Sequence, residues 1–141
     1  MELKLKTISK DGIAEAISKA ELYRFLNEPE ESESICHDIL AADPENQTAL
    51  RILGLAITDE FTGESSDRYS EAEKTFQRLA DAYEKQYCMG LLCERQAKAQ
   101  ADLARLFRSV GIDAIQLRTD RPYAAELGRF FETREKRRLR G

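Results

Sequence analysis

The sequence predicts a mainly α fold: an α-α superhelix of antiparallel helical hairpins, then a long fifth helix, a short strand at 112–118 and a C-terminal helix. Three observations predict it. Apolar residues recur three and four positions apart through most of the first 110 residues. Chain breakers separate the stripes, at Asn27-Glu28-Pro29 and at Asp43-Pro44. The order of small and large residues in the first pair of stripes then returns in the second. Composition agrees, since 42% hydrophobic and 34% charged residues with only three prolines in 141 suit a helical chain that buries roughly two-thirds of its unfolded surface.

Ile13, Ala16, Ile17, Ala20 and Tyr23 form the first stripe, with Asp11 as its predicted N-cap. Pro29 opens the second helix, because the N–H it lacks would have no partner in a first turn, and Ser32, Ile35, Cys36, Ile39 and Leu40 mark its apolar face. Asn46 is placed to cap a third helix carrying Leu50, Leu53, Gly54 and Ile57. The polar segment 61–69 reads as a loop. Ser70 and Glu73 have capping-box spacing for a fourth helix, whose predicted buried stripe is Ala72, Phe76, Leu79, Ala80 and Tyr83. Met89, Leu92, Gln96, Ala99, Leu103, Leu106 and Val110 then fit one long helix from about 86 to 110. Past Gly111 the run IDAIQLRT is β-branched and apolar without helical period, which predicts the strand, with Leu3, Leu5 and Thr7 as its predicted partner. Pro122 opens the last helix, ending near Arg138. The sequence thus divides into a helical repeat domain, 1–110, and a strand-helix extension with a basic end, 111–141.

The repeat is visible residue by residue. Ala20 then Gly54 supply the small position, Tyr23 then Ile57 the larger one, Ser32 then Ala72 the small residue of the second helix, and Cys36 then Phe76 the ring or thiol four later. Small residues let two helices approach closely, which offsets the ~1 kcal/mol of helix propensity that a glycine gives up. At these positions, and in Asp43-Pro44-Glu45-Asn46, the chain resembles the tetratricopeptide repeat family over about residues 13–98, with Gly90 as a third small residue. A fainter likeness joins residues 107–139 to the C-terminal end of the von Willebrand factor A-like bacterial proteins that accompany MoxR ATPases. That family's Asp-x-Ser-x-Ser metal motif has no match in the sequence, so no ion site is implied.

Catalysis and cofactors find little support. The single histidine, His37, adjoins Cys36, but neighbours on a helix point about 100° apart and cannot easily form a nucleophile–base pair. Cys88 and Cys93 diverge on their helix, so neither a zinc site nor a disulfide is expected, and the scattered glycines offer no phosphate loop. Glu30, Glu31 and Glu33 sit where a helix N-terminus favours acid. With no apolar run near the ~18 residues of a membrane span and no secretory leader, the expectation is a bacterial, cytoplasmic protein without enzymatic activity or cofactor.

Binding is what remains. In tetratricopeptide proteins the first helix of each hairpin lines a groove for a peptide or partner helix, and the resemblance maps those positions onto Ile17, Glu21 and Arg24, then Arg51, Leu55 and Thr58. The alternative for Ile17 and Leu55 is simple packing against the fifth helix. The family's clamp for C-terminal carboxylates uses Lys and Asn where this chain has Ile17 and Glu21, so chaperone tails are not implied. The net charge of −4 hides an acidic body and a basic end, where Arg134, Lys136, Arg137, Arg138 and Arg140 form a second candidate surface for nucleic acid or an acidic partner. Nucleic acid is disfavoured by the acid of the body. A short repeat array also leaves apolar end faces, so the terminal helix or a second copy of the chain, in a homo-oligomer, is expected to cover them.

Overall fold

The structure is a computed structural model that describes residues 8–62, 66–111 and 124–140, apart from the side chains of Ser66 and Glu126. It is mainly helical: α1 (Ile13–Phe25), α2 (Pro29–Ala42), α3 (Gln47–Asp59), α4 (Ser66–Gln77), α5 (Ala82–Ser109) and α6 (Ala124–Arg140), with a 3-10 turn at Lys10–Gly12 before them. Among the described residues no helix is long and apolar enough to cross a membrane. The strand expected at 112–118 and its partner residues Leu3, Leu5 and Thr7 lie outside the described residues. Two compact units, Met1–Leu103 and Ala104–Gly141, divide the chain.

In the first unit α1 packs on α2, α2 on α3, α3 on α4, and α1 also reaches α3. The links at 26–28 and 43–46 are short, and because the helices they join pack on each other the chain turns back at each. Asn27 makes the first reversal by entering the left-handed region, with φ 61°. Its N–H donates to Arg24 O at 3.0 Å and the N–H of Glu28 to Tyr23 O at 2.9 Å, the paired bonds of a Schellman C-cap that Asn tolerates better than most residues. The second reversal ends on Asn46, whose side-chain oxygen accepts from Ala49 N at 3.0 Å while its amide donates to Asp43 Oδ2, also at 3.0 Å. Replacing Asn46 with Ala orphans that N–H, and urea unfolding is expected to register a loss of about 1 kcal/mol.

Two caps differ from expectation. Asp11 lies inside the 3-10 turn, and α1 is preceded by Gly12 with no side-chain cap. Ser70 is a full turn inside α4, which already starts at Ser66, so 66–69 is helix and the Ser70–Glu73 spacing caps nothing. Capping spacing is satisfied as readily by two residues within a helix as by its first turn. Asp81, conversely, caps α5 by accepting from Glu84 N at 2.7 Å.

The core gathers Ala20, Cys36, Leu50, Leu53, Ile57, Ala72, Phe76, Leu79, Cys88 and Leu92 in one cluster, so α5 joins it through the last two. Ala16, Ile39 and Ala49 form a smaller cluster at the other end of α1 and α3. Each large side chain fully buried there contributes roughly 1.5–3 kcal/mol. The stripe read through Ala80 and Tyr83 is corrected: both are exposed, Tyr83 by 81%. The helix ends at Gln77, and the link at 78–81 breaks the register on which the extrapolation relied. Gly90, offered as a third small contact, has nothing within 4 Å of its missing Cβ, whereas Gly54 lies against the Phe76 ring.

Candidate partner-binding face

Within the first unit, α1, α3 and the part of α5 before Ala104 are laced by two rows of charge. In one row Arg51 of α3 stands between Glu21 of α1 at 3.8 Å and Glu84 of α5 at 3.5 Å. In the other, Asp59 at the end of α3 accepts from Arg24 Nε of α1 at 2.7 Å and pairs with Arg95 of α5. The rows lie eight residues apart on α3, roughly 12 Å along its axis, with half-buried Leu55 between them. One row ends in two carboxylates and the other in two guanidiniums, so the face carries net negative charge at one end and net positive at the other. Exposed or half-exposed pairs of this kind contribute only about 0–1 kcal/mol each. Their larger effect is to fix where long side chains point.

The predicted residues therefore divide. Glu21, Arg24, Arg51 and Leu55 come together on this face. Thr58 is 3% exposed, donating to Leu55 O at 2.8 Å and accepting from Arg95, so it supports the face from beneath. Ile17 packs against the core and lines a separate cleft of about 650 Å³ with Ile13, Ala42 and Pro44. Beyond Thr58 a cleft of about 260 Å³ opens between Asp59, Phe61, Arg95 and Lys98. Asp59, Glu84 and Arg95 were not singled out by sequence. Glu84 and Arg95 are eleven residues apart, three turns of one helix, a spacing that puts them on one face once α5 is known to be continuous.

A second ionic node joins α2, the end of α3 and α4. Arg68 of α4 pairs with Glu33 of α2, Glu60 after α3, and Glu71 of its own helix at 2.8 Å. Burial raises the Glu33 carboxyl above its ordinary 4.5, and Arg68 opposes that rise without cancelling it. Burial alone would lower the Arg68 pKa, but its hydrogen bonds to Glu33 and Glu60 prevail and raise it. Cys36 and His37 point apart, the thiol buried and the imidazole exposed, and burial pushes the thiol up to about 12. A thiol so protonated is a poor nucleophile. On α6, in the second unit, Arg134, Lys136, Arg137, Arg138 and Arg140 are all exposed.

Comparison with protein-family models, with curated proteins and with solved structures finds no match for this chain.

Proposed function

We propose that this protein is a non-catalytic interaction module of the tetratricopeptide type, binding a peptide or partner helix across α1, α3 and α5. The observation that supports this reading best is the face itself: Glu21, Arg51 and Glu84 at one end, Arg24, Asp59 and Arg95 at the other, with Leu55 between. Side chains pinned by neighbours on adjacent helices present a charge pattern without first losing their own rotamer freedom, which lowers the cost of binding. A ligand with a basic end, an apolar centre and an acidic end matches that pattern. The adjacency of α1 and α3 and the repeated order of small residues are consistent with the same family of folds.

The test is selection of binding peptides from a displayed random library against the full chain, followed by titration on variants. Selected peptides are expected to carry opposite charges flanking an apolar residue, and Leu55→Asp or Arg51→Glu to weaken them tenfold or more. Peptides that bind both variants as tightly as the parent chain would place recognition elsewhere.

A further inference from the structure

Another surface of the first unit lies outside that groove. At the C-terminal end of α1, Leu22 and, one turn later, the neighbours Phe25 and Leu26 are 52%, 87% and 54% exposed. Isolated exposed leucines are ordinary, but an aromatic ring almost wholly in water between two of them is not. The patch runs directly into Glu28, Glu30 and Glu31, all exposed and in no ion pair among the described residues. These carboxylates share a cleft of about 530 Å³ with Asn27, Asp59 and Glu60. The face is thus apolar at one end and acidic at the other.

The second unit holds a helix with the opposite pattern. On α6, Phe131 is 57% exposed, and a shallow cleft of about 430 Å³ is bordered by Phe131, Arg134, Glu135 and Arg138. Phe131, Arg134 and Arg138 follow at i, i+3 and i+7 along one side, with Lys136 and Arg140 exposed beside them, so this helix is aromatic first and basic afterwards. An aromatic ring set among guanidiniums gains a cation–π contact, and Glu28, Glu30 and Glu31 would meet the basic turns beyond.

From this complementarity we infer that the Leu22–Phe25–Leu26 face docks α6 of a second copy of the chain, each copy giving its helix to the other in a two-fold dimer. Reciprocal exchange buries the apolar patch twice and neutralises acid on one copy with base on the other. Asp59 borders both the acidic cleft and a charge row, but Phe25, Glu30 and Glu31 belong to neither row, so their substitutions test this inference without altering the groove.

Sedimentation velocity on the full chain tests it. The parent chain is expected to be a dimer at tens of micromolar that loosens as salt screens the charged half of the contact. Phe25→Asp should give a monomer with unchanged far-UV circular dichroism, because the ring it removes packs on almost nothing within the chain. Two charge reversals make the decisive pair: Glu30→Lys with Glu31→Lys on one chain, Lys136→Glu with Arg138→Glu on another. Each should be monomeric alone, and an equimolar mixture should restore the dimer, because each patch then faces a helix of opposite sign. A parent chain that stays monomeric at ~100 µM overturns the inference, as does a dimer that survives Phe25→Asp or a mixture that fails to associate.

Discussion

Gly54→Ala is expected to destabilise the protein by about 2 kcal/mol, although alanine is the better helix former by ~1 kcal/mol. A Cβ at this position would fall 2.3 Å from one carbon of the Phe76 ring and 2.7 Å from two more. Those are not contacts that a flexible tip can relieve, because Phe76 is fully buried among Ala72, Leu79, Ile57 and Leu92. Either the ring leaves its rotamer or α3 and α4 separate, and overpacking of that kind costs about 1–3 kcal/mol, occasionally more. Separation would also loosen the rest of the buried cluster, which places the gross cost at the upper end of that range, about 3 kcal/mol, and the net loss near 2 kcal/mol after the helix gain is subtracted. Urea unfolding should show it as a lower midpoint with an unchanged slope. The matching thermal shift is roughly 4–8 °C for a chain of this size. Phe76→Leu in the Gly54→Ala background should recover part of the loss, a coupling absent from Phe76→Leu alone. A Gly54→Ala protein as stable as its parent would mean that the crossing opens at no cost and that glycine is not there for close approach.

That contact shows where sequence reasoning succeeds and where it stops. A glycine on the apolar face of an otherwise good helix points to something large pressing on it, and Phe76 stands in the same repeat pattern as the ring four residues after Ala72. Helical period gave α2, α3 and the continuity of α5 because burial at every third and fourth residue is a one-dimensional property of the chain. The start of α4 escaped it, since Ser70 and Glu73 fit a cap or a solvated helix surface equally well. The charge rows escaped it for another reason. Arg24 meets Asp59 and Arg68 meets Glu33, in both cases 35 residues away. Polar residues on an exposed stripe carry no mark of their partner, and only the packing of one hairpin on the next decides which guanidinium finds which carboxylate. Of the groove positions carried over by resemblance, Glu21, Arg24, Arg51 and Leu55 lie near one another on α1 and α3, while the burial of Thr58 and the residues that close the rows are visible only in the three-dimensional arrangement.

Arg68→Ala is expected to cost about 2 kcal/mol at pH 7, and less in acid. The guanidinium pairs with Glu33 of α2, Glu60 after α3 and Glu71 of its own helix, so removing it leaves three carboxylates close together with no counter-ion from that residue. Breaking a fully buried pair costs about 3–5 kcal/mol; here Arg68 is 30% exposed and Glu71 44%, so water recovers part of it. The pH dependence follows from Glu33. Its folded value lies above the ordinary 4.5 because burial disfavours the ion, and Arg68 is what keeps that rise in check. A carboxyl raised in the folded state contributes stability that is fully present below its unfolded value and disappears as pH climbs through the folded one. Deleting Arg68 raises the folded value further, so at neutral pH the variant bears the larger penalty for ionised Glu33. Near pH 4 Glu33 is largely protonated in both proteins and the gap should narrow, by roughly half if Glu33 carries most of it. Arg68→Lys keeps the charge but not the planar fork that reaches several carboxylates at once, so it should fall between the two. Urea unfolding of all three proteins at pH 7 and pH 4 is the measurement. A deficit in Arg68→Ala of the same size at both pH values would assign its cause to the lost aliphatic stem and leave the carboxylates without an energetic part in holding α2 and α4 together.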